Sequence, residues 1–89
     1  MAATLQNLVG PQVRRLRTEA GLSQEALAAK LQVAGWDLSR GGLSKIEAGR
    51  RRVNDAELWV LSQTLSCPIA GLFPVRPKKL TSVLRQGRV

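Results

Sequence analysis

The chain has 89 residues and a mass of 9.7 kDa, enough for one domain with one modest hydrophobic core. It carries 14 Lys and Arg against 6 Asp and Glu, a formal charge of +8, so its field attracts polyanions such as nucleic acid. Histidine is absent and Cys67 is the one cysteine, which excludes an intramolecular disulfide, a Cys/His zinc site and catalysis by a Ser-His or Cys-His pair.

Other classes of protein are also disfavoured. No apolar run reaches the roughly 18 residues needed to span a bilayer, and no basic-then-apolar signal segment opens the chain. We therefore expect a cytoplasmic protein without a membrane partner. The few carboxylates form no evident pair for acid–base catalysis, so an enzyme is the weakest interpretation, and we expect no metal or other cofactor.

Residue patterns place the first two helices. Residues 11–20 have apolar side chains at helical spacing, with Pro11 suited to the first turn and Gly21 to the position after the end. Ser23 is a good N-cap for a second helix, which is rich in alanine and leucine and weakens at Gly35. The alanines allow another helix to approach closely.

The later helices are marked in the same way. Ser39 predicts a third helix over residues 40–48, stopped by Gly49. Asn54 and Glu57 form a capping-box pattern at the start of a fourth, over residues 55–65. A brief fifth helix is predicted between two prolines, Pro68 and Pro74. No strand pattern competes, so the sequence predicts a compact all-α bundle of about five short helices.

Three separated segments occur in an order that resembles the phage repressor and Cro-like (XRE-type) helix-turn-helix family. They are Leu-Arg at 16–17, Gly-Leu-Ser-Gln-Glu-Ala-Leu-Ala at 21–28 and Leu-Ser-Lys-Ile-Glu-Ala-Gly-Arg at 43–50. The resemblance covers roughly residues 11–73. It implies that the second helix crosses the phosphate backbone of DNA and that the third lies in the major groove.

The resemblance also assigns residues by position. It implies that Gln24 contacts a phosphate or a base edge and that Arg40, Gly41 and Ser44 occupy groove-facing positions. The chemistry agrees, because helix N-termini favour anions and Arg can pair bidentately with guanine. The cationic run at 50–52 has no nearby acidic block, which favours phosphate binding over a merely solvated surface. The predicted DNA-binding residues are Ser23, Gln24, Ser39, Arg40, Gly41, Ser44, Lys45, Arg50, Arg51 and Arg52.

In the same family, the positions of Arg17 and Glu47 pair across the first and third helices. The resemblance therefore implies a largely buried ion pair between these two side chains, with a structural role. Removing one partner of such a pair leaves the other charge uncompensated.

The clearest departure from the family lies between the second and third helices. Residues 32–38 form an insertion there, whereas the usual turn has about three to four residues. Trp36 is expected to fold back as a lid on the core rather than contact DNA, because an exposed indole is costly to leave in water. Asp37 could cap the third helix in place of Ser39.

Two glycines at the start of the third helix leave an alternative open. Gly41 and Gly42 each cost about 1 kcal/mol relative to alanine in a helix. Either the backbone must approach DNA closely there, or the helix begins late, near Leu43.

The sequence thus predicts an N-terminal arm at residues 1–10, a helix-turn-helix domain at 11–74 and a Pro-broken basic tail at 75–89, which orders on DNA or against a second subunit. The expected function is sequence-specific transcription regulation on double-stranded DNA. The family resemblance implies a homodimer on a short palindrome, since one recognition helix contacts too few bases for useful specificity. The alternative is a protein-interaction module of the antitoxin or adaptor kind. Steep salt dependence of DNA binding distinguishes the two.

Overall fold

The computed structural model describes residues 5–84, and in this range the chain forms five α-helices and one 3₁₀ helix. No strand occurs among the described residues, and the predicted all-α fold is confirmed. None of the helices in this range is long and apolar enough to cross a membrane. In chain order the elements are α1 (Gly10–Glu19), α2 (Gln24–Val33), α3 (Arg40–Glu47), α4 (Asp55–Thr64), the 3₁₀ helix (Ile69–Leu72) and α5 (Leu80–Val83).

Side-chain caps confirm the predicted starts of α2, α3 and α4, whereas α1 begins one residue before its predicted start, and its N-cap residue makes no side-chain cap bond. The hydroxyls of Ser23 and Ser39 each accept a hydrogen bond at 3.0 Å from the amide three residues later, which fixes the first turns of α2 and α3. Asp37 is therefore not the cap of α3. Asn54 and Glu57 complete a reciprocal capping box at the start of α4.

All four main helices end in the same backbone motif. The residue after each C-cap has a left-handed conformation, and its own amide and that of the next residue donate to carbonyls of the last turn, as in a Schellman motif. At the ends of α1, α2 and α3 this residue is glycine: Gly21, Gly35 and Gly49. At the end of α4 it is Ser66, with a φ of 53°, a conformation that costs free energy for a residue with a Cβ.

The core is aliphatic, as the scarcity of aromatic residues predicts. α3 packs against both α1 and α2, and α4 packs against α2 and the 3₁₀ helix. At the start of α1, a Cβ on Gly10 would collide with carbonyl oxygens of α3, so this glycine permits the close approach of the two helices. The buried core residues are Val9, Val13, Leu27, Leu31, Leu38, Leu43, Ile46, Leu61 and Leu72.

Part of the predicted N-terminal arm packs on the domain instead of extending from it. Asn7 and Val9 are buried, and the Asn7 side-chain amide donates to the Ile46 carbonyl at 3.0 Å and to the Arg51 carbonyl at 2.8 Å. Residues 5–9 form neither helix nor strand, although Leu5, Leu8 and Val9 have helical spacing, so this periodicity does not reveal the observed packing. Residues 1–4 of the arm lie outside the described range.

The insertion between α2 and α3 is ordered on the domain. α2 continues to Val33, so the connection consists of the six residues 34–39. Trp36 is half-buried and packs on the core, which confirms its predicted role as a lid. Leu38 enters the core itself, and the Gln32 amide donates to its carbonyl at 2.9 Å.

The same insertion explains one of the two glycines in α3. The helix begins at Arg40, so the alternative that it begins near Leu43 is wrong. A Cβ on Gly42 would lie 2.6 Å from the Leu38 side chain, and the missing side chain makes room for Leu38. Gly41 has no such neighbour: the nearest atom to a Cβ there is the Ser39 hydroxyl at 3.8 Å.

The described part of the basic tail contains one helical turn, α5, which is not among the helices predicted from the sequence. None of its residues is buried, in agreement with the shortage of apolar residues there. Val83 lines a shallow groove together with Leu58 and Phe73. Residues 85–89 of the tail lie outside the described range.

Candidate nucleic-acid interface

The starts of α2 and α3 lie side by side and bring several predicted DNA-binding residues together. The guanidinium of Arg40 donates to the side-chain oxygen of Gln24 at 3.3 Å. Gln24 and Ser44 line one shallow, largely polar depression of about 250 Å³. Ser44 follows Arg40 by four residues, so the two share a face of α3. Arg40 is exposed at the start of this face.

A buried ion pair holds α3 against α1, as the family resemblance implies. Arg17 donates to both carboxylate oxygens of Glu47, through Nε at 2.7 Å and through Nη2 at 3.0 Å. The side chain of Arg17 is 13% exposed and that of Glu47 only 3%. The hydrogen bonds to Glu47 raise the pKa of Arg17 above its ordinary value. A third bond, from Arg17 Nη1 to the Leu22 carbonyl at 2.8 Å, ties the pair to the turn before α2.

Gln24 extends this ion pair to the surface. Its side-chain nitrogen donates to Glu47 Oε1 at 3.0 Å, while its oxygen accepts from Arg40. Both ends of the Gln24 amide are therefore engaged within the protein. The resulting chain of contacts runs from Arg17 through Glu47 and Gln24 to Arg40, so the buried pair orients the exposed guanidinium.

The other predicted contact residues of α2 and α3 have different surroundings. The hydroxyls of Ser23 and Ser39 serve as caps, although both residues are exposed at helix N-termini, which favour anions. Gly41 is exposed and presents bare backbone. Lys45 is exposed one residue beyond Ser44.

The three arginines after α3 do not form one uniform charged run. Arg50 and Arg52 are exposed, and neither takes part in an ion pair within residues 5–84. Arg51 is half-buried and bonds to both carboxylate oxygens of Glu57, at 3.2 and 3.1 Å. The expectation that no acidic group lies nearby is wrong for Arg51, because the fold brings the start of α4 beside it.

Arg51 and Glu57 connect the segments on either side of α3. The guanidinium carbon of Arg51 lies 5.6 Å from the centroid of the Trp36 ring, a cation–π distance. It thus joins the connection before α3 to the loop after it. Burial of Glu57 opposes its ionisation, but hydrogen bonds from Arg51 and from the Asn54 amide outweigh that effect and hold the pKa of this carboxyl below its ordinary value.

Arg14 is absent from the predicted DNA-binding residues, yet it lines the same depression as Gln24 and Ser44. It is exposed, on the surface of α1 that adjoins α3. The sequence does contain a signal for Arg14. Arg17 follows it by three residues on the same face of α1, so pairing Arg17 with Glu47 also brings Arg14 beside α3.

Within residues 5–84, no cluster of carboxylates and thiols is suited to hold a metal ion. Cys67 is half-buried, and this burial raises the pKa of its thiol. A raised pKa reduces the thiolate fraction, which fits a packing role better than a reactive one.

The chain matches one family model and is similar to several solved structures. The model of a family described as helix-turn-helix (HTH_3) matches residues 13–72, more than half of the chain. The restriction-modification controller protein C.AhdI from Aeromonas hydrophila is 35% identical, with a TM-score of 0.64 over 74% of this chain and 96% of that one. No curated protein sequence matches the chain.

Two further solved structures are similar. The DNA-binding domain of BldD is 27% identical, with a TM-score of 0.66 over 83% of this chain and 100% of that one. An HTH_3 family transcriptional regulator from Vibrio cholerae is 26% identical, with a TM-score of 0.63 over 76% of this chain. That regulator is longer, and the match spans 35% of its length.

Proposed function

The chain belongs to the HTH_3 helix-turn-helix family, which places it among DNA-binding regulators rather than enzymes, and we propose that it is a sequence-specific transcription regulator acting in the cytoplasm as a homodimer on a short palindrome. In this proposal α3 lies in the major groove. The observation that carries it is the exposed Arg40, held at the start of α3 by Gln24 and, through Gln24, by the buried Arg17–Glu47 pair.

The groove-facing surface of α3 consists of one long cation and small residues. Arg40 pairs with a guanine edge, a contact that supplies much of the discrimination between bases. Gly41 lets the backbone approach the DNA closely, and Ser44 bonds to a base or phosphate one turn further on. Because Gln24 orients Arg40 in the free protein, less side-chain entropy is lost when the guanidinium meets its base.

Phosphates position the domain on the duplex. Lys45, Arg50 and Arg52 are exposed cations on or just after α3, and the N-termini of α2 and α3 add their amides. Arg51 has a structural role instead of a phosphate contact, because its guanidinium bonds to Glu57 and lies over the Trp36 ring. These contacts bind all duplexes alike and give the complex its salt dependence.

Exposed apolar side chains in the C-terminal part of the chain support the proposed dimer. Trp59 on α4 is 58% exposed and Leu84, after α5, is 56% exposed. Ile69, Phe73 and Leu80 are also exposed, whereas the DNA-binding surface is polar. A second copy that covers these side chains would remove them from water, and each copy would then supply one α3 for one half-site.

The same exposed apolar side chains favour the alternative, a module that binds another protein. Large exposed aromatic side chains such as Trp59 are typical anchors of protein interfaces. Binding to one protein partner together with indifference to duplex DNA would support this alternative and contradict the proposed function.

The test begins with selection of bound duplexes from a random pool, followed by salt titrations on the selected and a random duplex. Arg40→Ala should cost about 1 to 3 kcal/mol of binding free energy on the selected duplex and much less on random DNA. Arg50→Ala should weaken both equally and reduce the salt slope by about one unit. Equal losses for Arg40→Ala on the two duplexes would show that this side chain contacts only the backbone.

A further inference from the structure

Two depressions adjoin at the C-terminal end of α3. The first is the polar one lined by Arg14, Gln24 and Ser44. The second, of about 290 Å³, lies between the start of α1 and the segment after the 3₁₀ helix, and Arg76 and Lys78 line it. Glu47 and Ala48 line both, so the two depressions adjoin at these residues, and together they are called the furrow below.

This furrow carries uncompensated positive charge. Among the described residues that line it, Glu47 is the one carboxylate, and Arg17 already pairs with that carboxylate. Arg14, Arg76 and Lys78 form no ion pair within residues 5–84. The other carboxylates that form ion pairs within residues 5–84, Glu19 and Glu57, do not line the furrow.

The segment that carries the two tail cations is irregular. Arg76 precedes Pro77, which disfavours helical geometry at Arg76. The chain bends at residues 75–76 and 78–79, and Arg76 and Lys78 both line the second depression. Pro74 lines the furrow as well, so the segment lies against the domain rather than away from it.

We propose that Arg14, Arg76 and Lys78 form a second line of phosphate contacts, along which the DNA backbone lies beside the bases that α3 contacts. Arg14 lines one depression and Arg76 and Lys78 line the other, so the three cations do not surround one point. This arrangement suits the repeated charges of a polyanion better than a single small anion. The apolar floor, with Leu8 and Pro11, accommodates sugar faces between phosphates. This inference rests on the proposed function.

Salt titrations of duplex binding test the proposal. Each phosphate contact contributes about 0.9 to the slope of log K against log salt concentration, or about a 3.5-fold loss of affinity between 50 and 200 mM salt. Arg14→Ala should therefore reduce the slope by about one unit and the double variant Arg76→Ala/Lys78→Ala by about two. Arg14→Lys, which keeps the charge, should retain the wild-type slope.

Lys30→Ala is the matched control, because Lys30 is an exposed cation on another face, beside Val33 and Thr64. Its slope should equal that of the wild type. Thermal melting of each variant, with unchanged midpoints expected, excludes loss of the fold as the cause. If the wild type binds DNA and the Arg14 and tail variants match Lys30→Ala, this inference is overturned and the proposed function survives. If the wild type does not bind duplex DNA, both are overturned.

Discussion

Replacing Arg17 with alanine tests how α3 is held in place. In the native protein Glu47 accepts two hydrogen bonds from Arg17 and one from Gln24, and its side chain is 3% exposed. Arg17→Ala removes the charge and two of the three bonds and leaves a buried carboxylate with one neutral donor. It also deprives the Leu22 carbonyl of its bond to Arg17.

Breaking a buried pair in this way costs about 3 to 5 kcal/mol of unfolding free energy, because the remaining charge is stranded away from water. A domain of this kind has about 5 to 15 kcal/mol of total stability, so the loss is a large fraction of the whole. At about 4 to 8 °C per kcal/mol for a small domain, the Tm should fall by at least 12 °C.

Urea unfolding followed by circular dichroism measures this loss. The matched control is Arg15→Ala, which breaks the exposed pair between Arg15 and Glu19, whose side chains are 51% and 58% exposed. An exposed pair at this helical spacing contributes only about 0.3 to 0.5 kcal/mol. The double variant Arg17→Met/Glu47→Leu should recover most of the stability, since no charge remains buried. A cost for Arg17→Ala similar to that of Arg15→Ala would refute the reasoning.

Three further outcomes are expected. In a Trp59→Phe background, emission from Trp36 should be blue-shifted relative to free indole, because Trp36 packs on the core; emission like that of a fully exposed indole would contradict the lid. The lowered pKa of Glu57 means that its ion pair with Arg51 stabilises the fold above pH 4.5 and that this contribution is lost as the pH falls further. Urea unfolding should therefore show a cost for Glu57→Gln at pH 6 that shrinks at pH 3, and a pH-independent cost would count against the pair. Ser66→Gly should raise stability by about 0.5 to 1 kcal/mol, because glycine adopts the left-handed conformation without strain; a lower Tm would be inconsistent with this account.

Local patterns in the sequence determined the main helices and their caps. Ser23, Ser39 and Asn54 act through bonds to amides three residues away, so their roles depend on nothing distant. Gly21 and Gly49 end helices for an equally local reason, the left-handed conformation. The Arg17–Glu47 pair is a long-range contact, and it was predictable only through the resemblance to a family in which those positions pair.

Only the tertiary structure decided which of the cations remain free. Arg50 and Arg51 are neighbours of the same type in sequence, but the fold brings Glu57 and Trp36 to Arg51 and leaves Arg50 in solvent. Arg14 lies beside α3 because α1 and α3 pack together, a relation between elements far apart in the chain. The reason is physical: a charge is neutralised by groups within a few ångströms, and which groups come that close is set by packing between elements rather than by the residues next to it in sequence.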